Sequence, residues 1–269
     1  MDVQQRNNVK VIGHADATRT IVFAHGFGCD QSMWRFLTPA FDADYRTILF
    51  DLVGCGNSAP GAYDFDKYTS LNAFADDLIE IVDAFAIGPV VFVGHSVSAA
   101  IGALAAVKAP EKFAALVMVG ASFSFINEGD YIGGFTRDDI DELLQTLNTN
   151  YRGWASASAP SIMGAPDQPD LSAEFSASLC RIDPTVAAHF ARSVFLSDNR
   201  AILPRITTPT LILQSSDDVL VPPFVGQYIQ SHIRGSVLQV IDNIGHCPHL
   251  SAPAASIEAT LGFLRDQGR

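Results

Sequence analysis

The chain has 269 residues, 48% of them hydrophobic and 17% charged. That is enough to bury one large α/β core with an insertion, or two small domains, without a disulfide or metal staple. A net charge of −12 argues against nucleic acid, anionic membrane surfaces and, mildly, anionic substrates.

The start of the chain is polar (Asp2, Gln4, Gln5, Arg6) and has no apolar signal-peptide core. No uninterrupted apolar run of about eighteen residues follows, so no membrane span is expected. Val9–Ile12 reads as the first strand and Thr20–Ala24 as the second. His25-Gly26-Phe27-Gly28 follows. A glycine-bearing loop after an early strand can aim a backbone N–H at a nucleophile, which makes Phe27 a candidate oxyanion donor. An ordinary turn is the competing reading. Thr47–Phe50 is the next strand. The glycine-rich Asp51–Ser58 stretch after it lacks Lys-Ser/Thr and is not G-x-G-x-x-G, so it reads as a turn beside a site and not as a phosphate loop. Leu71–Phe85 reads as a helix: Leu71, Phe74, Leu78, Ile81, Val82 and Phe85 share one face, with Asp76, Asp77 and Glu80 opposite.

Val90–Val93 is a short β-branched run, and Val97–Val107 is rich in helix-forming Ala and Leu. Between them stands Gly94-His95-Ser96-Val97-Ser98. A serine on a sharp strand-to-helix turn is a nucleophile elbow, exposed at a helix N-terminus whose free N–H groups favour negative charge. The pattern is G-x-S-x-G with Ser98 in place of the second glycine, a residue still small enough for close helix–strand approach. Val97, next after the nucleophile, is the second candidate oxyanion donor. Alone the pentad is weak evidence, because a core helix with a capping serine reads the same way.

Leu116–Val119 is another strand. From residue 123 to 203 the pattern is helical only. Thr136-Arg137-Asp138-Asp139 is an N-cap signature, followed by Ile140, Leu143, Leu144 and Leu147 at helical spacing. Asp183-Pro184 starts a further helix, with Val186, Phe190 and Val194 behind it. Pro160, Pro166 and Pro169 read as breaks between. The segment is rich in aromatics, most of which serve packing while a few can line a pocket.

Thr210–Gln214 is a strand running into Ser215-Ser216-Asp217-Asp218. An acid at the C-terminal end of a strand is where such sheets place functional groups. Asp218, three residues before Val221-Pro222, has the better spacing for an orienting acid, and Asp217 reads as a solvated carboxylate. Strand Val237–Ile241 leads to Asn243-Ile244-Gly245-His246, a base candidate on a loop freed by glycine. In His246-Cys247-Pro248-His249 a zinc site is disfavoured: only two nitrogens are offered and no paired Cys cluster lies elsewhere. His249 reads as a helix-start or core residue. Cys29, Cys55, Cys180 and Cys247 are scattered, as expected of reduced thiols in a cytoplasmic protein.

Ser96, Asp218 and His246 occur in the order an α/β-hydrolase requires, each after a predicted strand. Strand–helix alternation implies a mostly parallel sheet flanked by helices. The reading is a core of residues 1–122 and 204–269 with an inserted helical cap of residues 123–203. The chemistry expected is that of a serine hydrolase acting on a small, mostly apolar ester or lactone, with no cofactor and no metal.

The stretches His25-Gly26-Phe27-Gly28-Cys29-Asp30-Gln31-Ser32-Met33-Trp34, Gly94–Ser98, Gly133-Gly134-Phe135, Asn150-Tyr151-Arg152-Gly153-Trp154, Ser197-Asp198-Asn199-Arg200 and Gly245–His249 resemble one α/β-hydrolase subfamily. It holds the bacterial hydrolase that activates a general-stress sigma factor and the plant karrikin and strigolactone receptors. The resemblance runs over nearly the whole chain. It implies a Ser96–His246–Asp218 triad and an apolar pocket under a four-helix cap, lined by Phe27, Phe135, Phe175 and Phe195 with Val97 and Trp154. It also implies an alternative role, a ligand-dependent signalling protein with slow hydrolysis and a protein partner. One departure stands out: where the receptors carry a pocket Phe, this chain has Ser158, which implies a roomier or more polar wall.

Overall fold

The computed structural model describes residues 1–14 and 16–268. Its seven strands are β1 (Lys10–Gly13), β2 (Thr20–Ala24), β3 (Arg46–Phe50), β4 (Val90–His95), β5 (Phe113–Val119), β6 (Thr210–Asp217) and β7 (Val237–Ile244). They form one sheet in the order β1-β3-β2-β4-β5-β6-β7. Only β1 is antiparallel, pairing Lys10 with Leu49 on β3; the other neighbours are parallel. The central strands β2, β4 and β5 are buried throughout, as their unbroken apolar sequences require, whereas the edge strand β1 is exposed along its length.

The helices are α1 (Val3–Arg6), α2 (Leu71–Phe85), α3 (Val97–Lys108), α4 (Arg137–Met163), α5 (Pro169–Cys180), α6 (Pro184–Phe195), α7 (Pro223–His232), α8 (Pro248–Ser251) and α9 (Pro253–Asp266). Alternate residues of each strand feed the two faces of the sheet. Val22, Ile48, Phe92 and Ile212 join the core under α2, α3 and α7. Ile21, Phe23, Val91, Val93 and Leu213 join the one under α9 and the Trp34 turn. The apolar stripe of α2 is buried, but Asp77 departs from the solvated face expected for it. It is 2% exposed, held by Lys67 Nζ and the Tyr68 hydroxyl, both at 2.7 Å, with Arg6 at 3.3 Å. Those partners lie on other segments, so helical periodicity alone could not place them.

The helices α4, α5 and α6 lie between β5 and β6 in sequence. Thr136 and Asp139 close a capping box at the start of α4. Asn150 (φ −149°, ψ 60°) leaves the helical region and bends α4 into two arms, so α4 to α6 present four helical arms. Asp183 caps α6 by accepting from the Thr185 and Val186 N–H groups. The chain enters and leaves this segment at one place: Ser124 bridges Asp198, and the Asn199 N–H donates to the Phe123 carbonyl at 2.7 Å. Among the described residues, no helix is long and apolar enough to cross a membrane.

Candidate active site

After β2 the chain turns back to one side of the sheet to build β3; after β4 it moves to the other side to build β5. The connections therefore diverge between β2 and β4, and an open parallel sheet has its crevice at such a switch point. Ala24 and Gly94 pair across that junction, which sets the loops carrying Phe27 and Ser96 side by side. Ser96 itself has φ +54° and ψ −121°. A non-glycine residue there stores strain of about 1–3 kcal/mol. It is held in place by buried β4 on one side, by buried α3 on the other, and by its own N–H donating to the Val119 carbonyl at 2.8 Å.

The neighbouring strands β6 and β7 end together, with Asp217 opposite Ile244. The next residues, Asp218 and Gly245-His246, are thereby brought alongside each other. Asp218 is 4% exposed and its Oδ1 accepts from the Leu220 and Val221 N–H groups at 2.9 and 3.0 Å. Its Oδ2 lies 2.7 Å from His246 Nδ1. The carboxylate thus fixes the Nδ1–H tautomer and leaves Nε2 free to accept a proton. His246 Nε2 is buried without a hydrogen-bond partner, and His246 lines the same cavity as Ser96. Asp217 is exposed, and its carbonyl accepts from Gly245 N–H at 2.7 Å.

Two further contacts orient the His246 loop. The His246 N–H donates to the Ile162 carbonyl of α4 at 2.7 Å, and its own carbonyl lies 2.9 Å from His95 Nε2. Gly245 is obligatory: φ is +106°, and a Cβ would stand 2.0 Å from the Met163 carbonyl oxygen.

Among the described residues, the backbone N–H groups of Phe27 and Val97 donate to no other group of the protein. The Phe27 loop is braced by His25, whose Nδ1–H donates to the Gly26 carbonyl at 2.8 Å while Nε2 accepts from Leu52 N–H at 3.0 Å. Burial lowers the pKa of His25, in keeping with a neutral ring that must keep one nitrogen as acceptor.

A cavity of about 680 Å³ opens above Ser96 and His246. Phe135, Trp154, Ser158, Phe175 and Phe195 all stand on its wall, together with Phe27. Val97 is buried and is not among the lining residues. The sequence reading places Ser158 on a polar wall but misses the rest of that side: Thr146 and Ser161 come with it from the two arms of α4, and the exposed Asp139 and Glu142 also line the cavity. Helical spacing marks these residues as surface and cannot tell solvent from a cavity. α5 is clasped to the loop after β2 by the Arg181–Asp30 ion pair and by Ser178 Oγ donating to the Gly28 carbonyl at 3.3 Å.

His249 is fully buried and stacks between Trp34 and His95, with ring centroids 4.6 and 4.5 Å away. Burial holds His95 well below the ordinary histidine range and lowers His249 to about 3, so both rings are neutral. Cys29, Cys55, Cys180 and Cys247 are free thiols.

Residues 21–259 match the model of the alpha/beta hydrolase family, and the chain belongs to that family. It is 41% identical over 248 residues to the strigolactone esterase D14 of Arabidopsis thaliana, covering 92% of each chain. It is 38% identical over 260 residues to the karrikin insensitive 2 receptor CA of Petunia hybrida, covering 96% of each. Among solved structures, a hydrolase from Oleispira antarctica superposes with a TM-score of 0.93 at 40% identity, over 98% of this chain and 96% of that one.

Proposed function

We propose that this member of the alpha/beta hydrolase family is a serine esterase or lactonase acting on a small, mostly apolar substrate. The observation that carries the reading is the Asp218–His246 pair, with an unpartnered Nε2, on the wall of the same cavity as a strained, strand-end Ser96.

In this mechanism His246 Nε2 takes the Ser96 hydroxyl proton as Oγ attacks the carbonyl carbon. The oxyanion is received by the Phe27 and Val97 N–H groups, each worth about 3 kcal/mol of barrier. His246 then passes its proton to the leaving alkoxide, and the acyl group stays on Ser96. A water gives its proton to His246 and attacks the ester carbonyl, and His246 hands that proton to Ser96 Oγ as the acid leaves. Asp218 holds the imidazole tautomer and stabilises the imidazolium. Residues 1–122 and 204–269 supply this chemistry. Residues 123–203 act as the cap that supplies the walls of the pocket and excludes water.

The aromatic wall (Phe27, Phe135, Phe175, Phe195) suits an apolar acyl or ring portion, and the Thr146, Ser158 and Ser161 side suits an oxygenated end. Asp139 and Glu142 at the rim, with the net charge of −12, disfavour anionic substrates. Four free thiols suit a reducing, cytoplasmic compartment.

The 38% identity to a plant receptor along almost the whole chain favours a second reading. Here the same site reacts slowly with a small signal, and the cap presents a surface to a protein partner. A time course of short-chain p-nitrophenyl ester hydrolysis, wild type beside Ser96→Ala, separates the two. Sustained turnover by wild type alone supports the hydrolase. A burst of one equivalent that stalls supports signalling. Equal rates in both proteins remove Ser96 as nucleophile.

A further inference from the structure

His95, Cys247 and His249 are 2%, 0% and 0% exposed, and one potential ligand atom from each lies within 4.8 Å of the other two. Cys247 Sγ stands 4.0 Å from His95 Nε2. Both nitrogens of His249 and Nδ1 of His95 are buried without a hydrogen-bond partner. Orphaned donors and acceptors of this kind cost about 1–3 kcal/mol each. The three side chains come from distant parts of the sequence: His95 ends β4, whereas Cys247 precedes α8 and His249 lies in its first turn. Counting nitrogens in the His246–His249 run alone therefore misses the third member.

We propose that His95, Cys247 and His249 form a binding site for a thiophilic closed-shell cation, Cu⁺ or Zn²⁺. One thiolate and two neutral imidazoles are the donors such ions select, and hard cations that need several oxygens find none among these side chains. Donors around a tetrahedral zinc lie roughly 3.5 Å apart, from bond lengths of about 2.0–2.3 Å. Ligation through His95 Nε2, 4.0 Å from Sγ, needs the Nδ1–H tautomer and exchanges the hydrogen bond to the His246 carbonyl for a metal bond, and the donor separations, at most 4.8 Å, close by about 0.5 to 1.3 Å through side-chain torsions. Three side-chain donors in a dry site favour Cu⁺, since zinc takes four. For zinc, the His246 carbonyl, 2.9 Å from His95 Nε2, is a further oxygen beside the cluster. Binding forms the metal–sulfur bond, breaks the Cys247 S–H bond and releases that proton to solvent, with no change of oxidation state. Trp34 packs against His249 and closes the aromatic wall around the cluster. Two ligands adjoin Ser96 and His246 in sequence, so a bound ion pins the elbow to the His246 loop independently of which substrate the cavity takes.

Because the cluster is sealed, the ion is offered during folding. Wild type, Cys247→Ser and His249→Gln are refolded from denaturant with one equivalent of Zn²⁺, or of Cu⁺ under anaerobic reductant, then desalted. Bound metal, circular dichroism and thermal midpoint are read. The expected result is close to one ion retained per wild-type chain, with Cu⁺ held through a longer chelator wash than Zn²⁺, and a raised midpoint. Each folded variant retains at least roughly tenfold less. No ion on folded wild type overturns the site, and so does equal retention by either folded variant, because the metal then sits on another thiol. Two variants guard against one failing to fold.

Discussion

The Ser98 hydroxyl donates to the carbonyl oxygen of His25 across 2.5 Å, and both residues are fully buried. The residue that departs from the second glycine of the elbow pattern is thus the tie between the first turn of α3 and the loop after β2. Ser98→Ala leaves that carbonyl without its side-chain donor and costs about 1–3 kcal/mol in urea unfolding. Because it loosens Phe27 relative to Ser96, kcat falls by up to about a hundredfold with KM little changed. A rise in KM at constant kcat would count against this coupling.

Ser96 sits at φ +54°, where glycine is at ease and serine is not. Ser96→Gly therefore abolishes ester turnover and raises stability by about 1 kcal/mol, read as a higher thermal midpoint. A lower midpoint would mean that the elbow is not strained.

Asp218→Asn retains an oxygen for the Leu220 and Val221 N–H groups but can offer His246 Nδ1 a donor where an acceptor is needed. The protein folds, KM holds and kcat drops on the order of 10⁴-fold. Asp217→Asn, at the exposed end of β6, changes kcat less than about threefold. Steady-state kinetics of the pair decides between the adjacent carboxylates.

His25 accepts from Leu52 N–H only while its Nε2 is unprotonated, and burial lowers its pKa from the ordinary 6.5. As pH falls the unfolded chain takes up this proton first. The contribution of His25 is thus complete above about pH 6.5 and is lost on acidification, at up to about 1.4 kcal/mol per pH unit. His25→Asn keeps an acceptor that cannot titrate. Urea midpoints between pH 7.5 and 5 should fall less steeply in the variant; identical slopes refute the assignment.

Ser158 stands half-buried on the wall of the cavity. Ser158→Phe narrows that side, so kcat/KM for p-nitrophenyl hexanoate falls at least about tenfold while the acetate ester is nearly unaffected. Parallel loss on both esters would place residue 158 outside the acyl path.

Much of the frame was legible. β2 and α2 match the sequence reading to the residue, because an unbroken β-branched run and a clean 3.6-residue stripe admit one interpretation each. β5, β6 and β7 run a few residues longer than read, since pairing extends strands past their apolar centres. Pro160, Pro166 and Pro169 were read as breaks, yet Pro169 opens α5 and Pro160 lies inside the second arm of α4. Proline at the first helical position loses nothing, and position 160 is exposed so water can serve the freed carbonyl. Asp77 and the His95–Cys247–His249 cluster escaped because their partners lie on other elements: Lys67 and Tyr68 precede α2 and Arg6 ends α1, while His95 ends β4 far from Cys247 and His249 in sequence. Ser158 was legible through the resemblance, whereas Thr146 and Ser161 escaped because they face a void and not a neighbour. The plant relatives correspond to one half of the resemblance seen in the motifs.

The pairing of Ser124 with Asp198, with the Asn199 N–H on the Phe123 carbonyl, brings the two ends of the four-armed segment to one seam. Its two ends already touch, so joining them across a short link adds almost no chain-closure entropy. Helices of another length or lining can be spliced in at that seam while β4, β6 and β7 stay as they are, provided the Ile162 carbonyl that holds the His246 N–H and the Ser178 tie to Gly28 are kept. New walls can therefore be tried over an unchanged sheet, and specificity here can drift by exchange of whole parts as readily as by single substitutions.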